Sequence, residues 1–201
     1  HSYSSFLIPG LVMMTLAQNA FANSSSSILQ SKMNGNIVFM LLAPLSSLEV
    51  YIAFLGAAIL RGLITGGSVL LIASLLVDVE IYSVGLILLF ALLASGVLGA
   101  LGIIAGIWSE KYDHLSAFQN FIILPLTFLS GVFFSIQGLS PFWQQVSAWN
   151  PVFYLIDGFR YGFLGVSDVP YLQSVWVALL FLVMLTGISV AILRSGYKLR
   201  G

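Results

Sequence analysis

Long apolar stretches dominate this chain and constrain its fold more than any other feature. Five stretches of about 20 residues or more carry almost no charge, and only 7% of all residues are Asp, Glu, Lys or Arg. A soluble domain carries roughly 25% charged residues, whereas the hydrocarbon core of a bilayer requires about 20 apolar residues of helix. The sequence therefore predicts an all-α membrane protein, because an open strand cannot satisfy its backbone polar groups in lipid.

The five stretches predict membrane-spanning helices that form a bundle. They cover residues 6–28, 50–77, 84–108, 117–136 and 171–193. The first helix is expected to end in the polar run at 23–27. Pro125 predicts a kink or a hinge in the fourth helix, because proline removes a backbone hydrogen bond.

Two of the connections differ from ordinary loops. Residues 30–49 contain a short apolar run followed by Pro44, which predicts a short amphipathic helix and a turn. Residues 137–168 hold apolar side chains at helical spacing, then Pro151, then a second apolar run. The second connection is therefore not expected to be a soluble loop.

The basic residues predict the orientation of the bundle. Lys32, Lys111 and the tail with Arg194, Lys198 and Arg200 fall on one side of the predicted membrane, and cytoplasmic loops carry an excess of Lys and Arg. The C-terminus is therefore expected in the cytoplasm and His1 outside it. Five spans with an external, uncharged start are unusual, so we expect the chain to hold the last five of six spans.

Arg61 places a charge inside the second apolar stretch. An ionisable residue within a membrane is energetically expensive and is a functional candidate by default. The stretch is longer than a bilayer requires, so Arg61 could also extend its side chain to the interface or form a structural ion pair. The sequence leaves open the choice between these roles and a role in gating or cargo passage.

Small residues predict close helix packing. Gly62 and Gly66 form a G-x-x-x-G pattern, and four glycines recur in the third stretch, at positions 96, 99, 102 and 106. Such spacing lets helix backbones approach closely in lipid. The pattern fits packing within one subunit and also fits an interface between subunits.

Several classes of function lack the residues that they need. The chain has no cysteine, so it can form neither a disulfide nor a thiolate metal site. It has no basic tract for nucleic acid and no G-x-x-x-x-G-K-[ST] run, which excludes a P-loop ATP site. Asp113, His114 and Ser116 are close in sequence but have no oxyanion motif beside them, so we expect no catalytic residue, metal or cofactor on this chain.

Several segments together resemble one known family. They are Leu-Pro-Leu-Thr-Phe-Leu-Ser-Gly-Val-Phe-Phe at 124–134, Leu-Ser-Pro-Phe-Trp-Gln at 139–144, Asn-Pro-Val-Phe-Tyr at 150–154 and Gly-Phe-Arg-Tyr-Gly at 158–162. This region resembles the hallmark region of the membrane (permease) subunit of type-II ABC exporters, in the branch that includes NodJ-like and YadH-like permeases. Phe-Leu-Ile-Pro-Gly at 6–10 and Leu-Leu-Ala-Pro at 41–44 are similar to that family's first conserved segments.

The resemblance implies a particular architecture. Family members carry six spans, an amphipathic helix ahead of the first span, and a re-entrant helical hairpin before the last. On this comparison residues 1–201 form a single permease domain that lacks the amphipathic helix and the first span. Residues 137–168 would be the extracytoplasmic re-entrant segment, with Asn150, Pro151, Asp157 and Arg160 as its candidate site residues.

The resemblance also implies partners. Two permeases pair with two separate ATPase subunits, which hold the ATP and Mg²⁺, so this chain needs no cofactor of its own. Residues 30–49 resemble the cytoplasmic coupling segment, with Lys32, Leu41, Leu42 and Pro44 as candidate coupling residues. Candidates for gating within the membrane are Arg61, Pro125 and Gly131.

The predicted function is therefore a non-enzymatic exporter subunit of the bacterial inner membrane. The implied cargo is hydrophobic, lipid-linked or a polysaccharide. Arg160 lies three residues after Asp157, which predicts a structural ion pair, with contact to a cargo headgroup as the alternative.

A secondary carrier or channel subunit is the alternative function, but a carrier is expected to hold several ionisable groups at mid-membrane. An intramembrane hydrolase would need a paired nucleophile and base, which the sequence lacks.

Overall fold

The computed structural model describes residues 3–199, and every regular element in that range is a helix. Four helices are long and apolar enough to cross a membrane: α1 (Tyr3–Met33), α3 (Ser47–Leu76), α4 (Val84–Trp108) and α9 (Tyr171–Ser195). The prediction of an all-α fold with several apolar helices is confirmed. His1 and Arg200, which the sequence assigns to opposite sides of the membrane, lie outside the described residues.

The shorter helices occupy the connections between the long ones. They are α2 (Asn36–Leu42), α5 (Tyr112–Phe118), α6 (Leu124–Phe128), α7 (Pro141–Ala148) and α8 (Pro151–Leu164). A π-helical turn, Gln119–Ile123, joins α5 to α6 without a break, and a short 3₁₀ turn, Ile136–Gly138, precedes α7. The short helix expected in the 30–49 connection is α2, but six of its seven residues are apolar, so it is not amphipathic.

Helix α1 continues through the polar run that was expected to end it. The serine hydroxyls of this run bond back to carbonyl oxygens of the preceding turn, for example Ser25 Oγ to Ala22 O at 3.3 Å. Ser24 Oγ also donates to Gly99 O on α4 across 2.7 Å. The run therefore stays helical because its polar groups have partners on α1 itself and on the adjacent helix.

Helix α4 is the centre of the bundle, and α1, α3, α8 and α9 all pack against it. Its glycines allow α1 to approach closely: a Cβ on Gly102 would lie 2.6 Å from Phe21 O, and one on Gly106 would lie 2.7 Å from Ser25 O. On α3, a Cβ on Gly62 would lie 3.2 Å from Leu16 O. These glycines pack helices of the same subunit together, which decides between the two interpretations that the sequence left open.

The fourth predicted span is the element that the structure corrects most. Its helical run covers residues 112–128 instead of 117–136, and turns and bends occupy 129–134. Seventeen residues of helix extend over about 26 Å, less than the hydrocarbon thickness of about 30 Å. Gly131, with φ = 80°, adopts the left-handed conformation that glycine permits and that ends the helical path.

Candidate functional site

Helix α8 of the α7–α8 hairpin packs among the long helices α1, α4 and α9, whereas α7 packs on α8 and on the preceding 3₁₀ turn. Helix α8 runs antiparallel to α4: Gly162 lies beside Ile87, and Gly158 lies so close to the ring of Phe90 that a Cβ would come within 2.2 Å of it. The backbone N–H of Ser83 donates to Gly162 O at 2.8 Å, which places the C-terminal part of α8 at the start of α4. Since α8 then extends back along α4 for about 18 Å, the tip of the hairpin lies beside the middle of α4.

Asn150 forms the tip of this hairpin. Its Oδ1 accepts the N–H of Val152 at 3.0 Å and so caps α8, while its Nδ2 donates to Leu126 O on α6 at 2.6 Å. Pro151 occupies the first position of α8, where its fixed φ fits and its missing N–H has no consequence. The two residues predicted for the re-entrant segment therefore define its turn and attach it to α6.

Asp157 and Asp168 hold the two ends of the hairpin segment together. Asp168 accepts hydrogen bonds from Ser135 Oγ at 2.7 Å and from the N–H of Ile136 at 3.0 Å. Asp157, only 1% exposed, accepts the N–H groups of Asp168 and Val169 at 2.9 and 3.2 Å. Both ends of the segment consequently lie at one end of the bundle, which we call the hairpin end.

Arg160 is buried at the same end, with 3% of its surface exposed. Its Nη2 donates to Gly131 O at 2.6 Å, and its guanidinium lies 3.8 Å from the centre of the Phe6 ring. The expected ion pair with Asp157 is wrong: among the described residues Arg160 bonds carbonyl oxygens, and Asp157 bonds backbone N–H groups. The charge is stabilised by a carbonyl dipole and an aromatic face and, without direct contact, by the Asp157 and Asp168 carboxyl groups, which face other partners.

A cavity of about 510 Å³ opens beside these groups. Its lining includes Asp157, Arg160, Asp168, Tyr3 and Phe6. Burial raises the pKa of Asp157 to about 6, against the opposing effects of its two N–H donors and of Arg160. The sequence singled out Asp157, Arg160 and Gly131, which the structure brings together, but it gave no signal for Asp168.

The opposite end of the bundle, which we call the lysine end, is held by two lysines. Lys32 at the end of α1 donates to Ile107 O and to Ser109 O, each at 2.6 Å, and Lys198 donates to Trp108 O at 3.2 Å. These ammonium groups satisfy carbonyls at the C-terminus of α4, where cations are favourable. The structure thus directs Lys32, predicted as a coupling residue, into the bundle instead of toward a partner.

Helix α2 presents an apolar surface at the lysine end. Phe39 and Leu42 are 73% and 78% exposed, while Leu41 is half-buried against the core. Pro44 is exposed in the turn that follows. Leu42, one of the predicted coupling residues, is thus exposed on this segment, and Phe39, which the sequence did not single out, is exposed as well.

Two intramembrane candidates have unexpected surroundings. Arg61, exposed on α3, donates from Nη1 to Asn23 Oδ1 on α1 at 2.8 Å and forms no ion pair among the described residues. Pro125 follows the π-helical turn, in which Leu124 N–H bonds Gln119 O. The structure therefore shows a local change of helical register ahead of Pro125, a common accompaniment of proline within a helix.

No group of three or more His, Cys, Asp or Glu residues suited to a metal ion occurs within residues 3–199. Most of the polar groups described at the two ends are bonded to backbone atoms of the same chain, together with the Ser135–Asp168 hydrogen bond and the Lys198–Glu110 ion pair. The arrangement can position helices and buried charges.

Long apolar helices around a buried α4, with large apolar side chains exposed on α3 and α9, define a multi-pass α-helical membrane protein. A profile of the ABC-2 type transporter family matches residues 1–164. The chain belongs to that family and is the membrane permease component of a transporter.

Named relatives support this assignment. The chain is 36% identical to the inner membrane transport permease YadH of Escherichia coli K12, over 99% of this chain and 78% of that protein. It is 26% identical to nodulation protein J of Rhizobium leguminosarum bv. viciae, over 96% of this chain and 75% of that protein. No solved structure matches the chain.

Proposed function

We propose that this chain is the transmembrane subunit of an ATP-binding cassette exporter. Two copies form the cargo path, and separate ATPase subunits, which hold ATP and Mg²⁺, drive it. The cargo is hydrophobic, lipid-linked or a polysaccharide. In this proposal the 112–128 helix is the shortest of five spans in the given sequence, and the protein resides in the bacterial inner membrane.

The exposed apolar surface of α2 is the observation that carries the proposal. Phe39 and Leu42 lie at the lysine end, in the short connection between α1 and α3. An exposed apolar helix face is typical of a partner that receives it in a groove. A cytoplasmic ATPase subunit is the partner that family membership implies.

The orientation follows from the lysine end. Lys32, Lys111 and Lys198 cluster in the connections and the tail at that end, which favours the cytoplasmic side. The hairpin end is then extracytoplasmic, and α7–α8 enters the outer half of the membrane and returns. The packing of α8 against α4 and α9 and the bond from Asn150 to α6 support this proposal, because a re-entrant segment needs its backbone polar groups covered by protein.

Copurification tests this proposal directly. The cognate ATPase subunit, coexpressed with the chain, is expected to copurify with it and to hydrolyse ATP faster when lipid-linked or hydrophobic compounds are added. The control is the same ATPase expressed without the permease. If the two subunits do not associate, the exporter assignment fails and a carrier or channel subunit becomes the better explanation.

A further inference from the structure

The π-helical turn between α5 and α6 interrupts the hydrogen bonds of the helix that they form. Leu124 N–H bonds Gln119 O, five residues earlier. The α-helical register resumes where Leu129 N–H bonds Pro125 O at 3.0 Å. Between these two bonds lie the five carbonyl groups from 120 to 124, but only three N–H groups, because Pro125 has none. At least two carbonyls of the turn therefore lack a main-chain donor of their own.

The missing bonds make this turn the weakest point of the helix. Thr127 Oγ1 donates to Ile123 O at 2.8 Å, which replaces at most one of the missing donors. Proline and π-helical turns are two of the few identifiable causes of a bend within a helix, and π-helical turns occur frequently at functional sites. The helix can therefore bend at residues 119–125 with less loss of hydrogen bonding than elsewhere along its length.

Beyond the turn, α6 is fixed to the α7–α8 hairpin. Leu126 O accepts a hydrogen bond from Asn150 Nδ2 at 2.6 Å. Leu129 O accepts one from Ser147 Oγ at 3.2 Å. The hairpin is in turn packed against α4 through α8. The α6 side of the turn consequently moves only if the hairpin moves with it.

On the other side of the turn, α5 is held lightly. Leu115 is its one buried residue. The ring of Phe118 stacks on that of Phe21, with 5.6 Å between their centres. His114 Nδ1 accepts the N–H of Glu110 in the preceding loop at 3.2 Å, and no side chain of α5 forms a hydrogen bond with another helix in the described part of the chain. Apolar packing therefore provides almost all of the attachment of α5 to the bundle.

An apolar cavity of about 420 Å³ lies beside α5 at the lysine end. Phe118 of α5 and Ile122 of the π-helical turn line one side of it. Ile104 and Trp108 of α4 and Ile192 of α9 line the other sides. A movement of α5 into this space would bring apolar side chains into van der Waals contact, which is favourable. The bundle therefore leaves room for α5 on the side that faces α4 and α9.

We propose that residues 119–125 are a hinge on which α5 pivots toward α4 and α9 and closes the apolar cavity. The α4 wall of the cavity stays in place, because Lys32 and Lys198 bond carbonyl groups at its end. A tilt of about 20° at the hinge moves the first residue of α5, about 10 Å away, by about 4 Å. The inference goes beyond the proposed function, since it identifies a moving part within a single subunit.

Distances between two spin labels test the hinge, because the chain has no cysteine of its own to react with the label. The labels are attached at Asp113→Cys on α5 and Ala191→Cys on α9, both at exposed positions. The matched control pairs Ala191→Cys with Phe128→Cys on α6, beyond the hinge. In phosphatidylcholine vesicles, with an excess of unlabelled chain so that only distances within one copy are measured, the α5–α9 distribution is expected to extend about 4 Å further toward short distances than the control. Equally narrow distributions for the two pairs would overturn the proposal.

Two variants separate the hinge from the cavity. Pro125→Ala restores one N–H donor and should narrow the α5–α9 distribution to the width of the control. Ile104→Trp enlarges a half-buried side chain in the cavity wall and should remove the short α5–α9 distances without changing the control pair. Short distances that persist in Pro125→Ala reject the hinge, and those that persist in Ile104→Trp reject the cavity as the space that α5 enters.

The hinge and the exporter assignment are tested independently. None of the distance measurements requires ATP, an ATPase subunit or cargo, and the two label pairs decide the proposal even if one of the variants does not fold. A rigid α5 would overturn the hinge without affecting the exporter assignment. A failure to copurify with the ATPase would overturn the exporter assignment without affecting the hinge.

Discussion

The Nη2 atom of Arg160 donates a hydrogen bond of 2.6 Å to the carbonyl oxygen of Gly131. This bond joins α8 to the turn that ends α6, across 29 residues of sequence. Gly131 presents the carbonyl from a left-handed backbone conformation, with φ = 80°, that other residues adopt only with strain. The two residues together determine how the chain passes from α6 into the hairpin.

Removing this donor is expected to destabilise the protein. Arg160→Met keeps the length of the side chain but leaves the Gly131 carbonyl without its charged donor, which should lower the free energy of unfolding by about 3 kcal/mol. Thermal unfolding of the purified protein in detergent measures the change. Arg194→Met removes an exposed arginine in the last turn of α9 and should leave the unfolding midpoint unchanged. Equal midpoints for the two variants would contradict a structural role for Arg160.

Stability is expected to depend on pH through Asp157. Burial raises its pKa from 3.8 to about 6, so the folded state holds a proton that the unfolded state releases. The contribution is complete below about pH 4, decreases as the pH rises to about 6, and can reach about 3 kcal/mol. The difference in unfolding midpoint between the wild type and Asp157→Asn, measured from pH 4 to pH 8, should follow this course. A difference that is constant with pH would show that Asp157 does not titrate in this range.

The close contact between α1 and α4 predicts a sharp contrast between two glycines. Gly102→Ala places a Cβ within 2.6 Å of the backbone oxygen of Phe21, so the helices must separate. We expect a loss of about 2 kcal/mol and weaker expression. Gly187→Ala on α9 meets nothing within 4 Å and should be neutral or slightly stabilising. Similar behaviour of the two variants in thermal unfolding would refute the packing at Gly102.

The apolar surface of α2 predicts a variant that separates coupling from folding. Leu42→Asp changes an exposed side chain, so membrane insertion and thermal stability should be retained while stimulated ATP turnover and transport fall at least about tenfold, equivalent to about 1.4 kcal/mol of lost contact. Tyr112→Asp, at the start of α5 and also exposed, is the control for added charge at the lysine end. Leu41→Asp is less informative, because Leu41 packs against the core. Undiminished transport by Leu42→Asp in reconstituted vesicles would exclude α2 as the coupling surface.

Much of the fold could be predicted, because the lengths of the apolar stretches in the sequence determine where the long helices lie. The third stretch, 84–108, coincides with α4, since its residues are apolar on all sides and bounded by polar turns. The end of α1 could not be predicted in the same way. A run of serines is typical of a helix end, and only the hydrogen bond from Ser24 to Gly99 on another helix shows why it remains helical.

The site was predictable in its residues but not in their contacts. The spacing of Asp157 and Arg160 placed them on one face of a helix, and the structure confirms that both are buried there. Their partners are Gly131, Phe6 and the backbone of 168–169, which come from segments distant in sequence. Local spacing carries no information about such neighbours, so the sequence suggested an ion pair that the tertiary contacts replace.

The contacts of Lys32 and Lys198 also have a mechanical consequence. Both ammonium groups bond the last carbonyls of α4, so an axial displacement of α1 or of the C-terminal tail would strip charged donors from buried acceptors unless α4 moved with it. Helix α2 begins three residues after α1 ends. A force applied to α2 would consequently be transmitted to α1, to α4 and to the tail that follows α9, and these three segments would move together as a rigid unit.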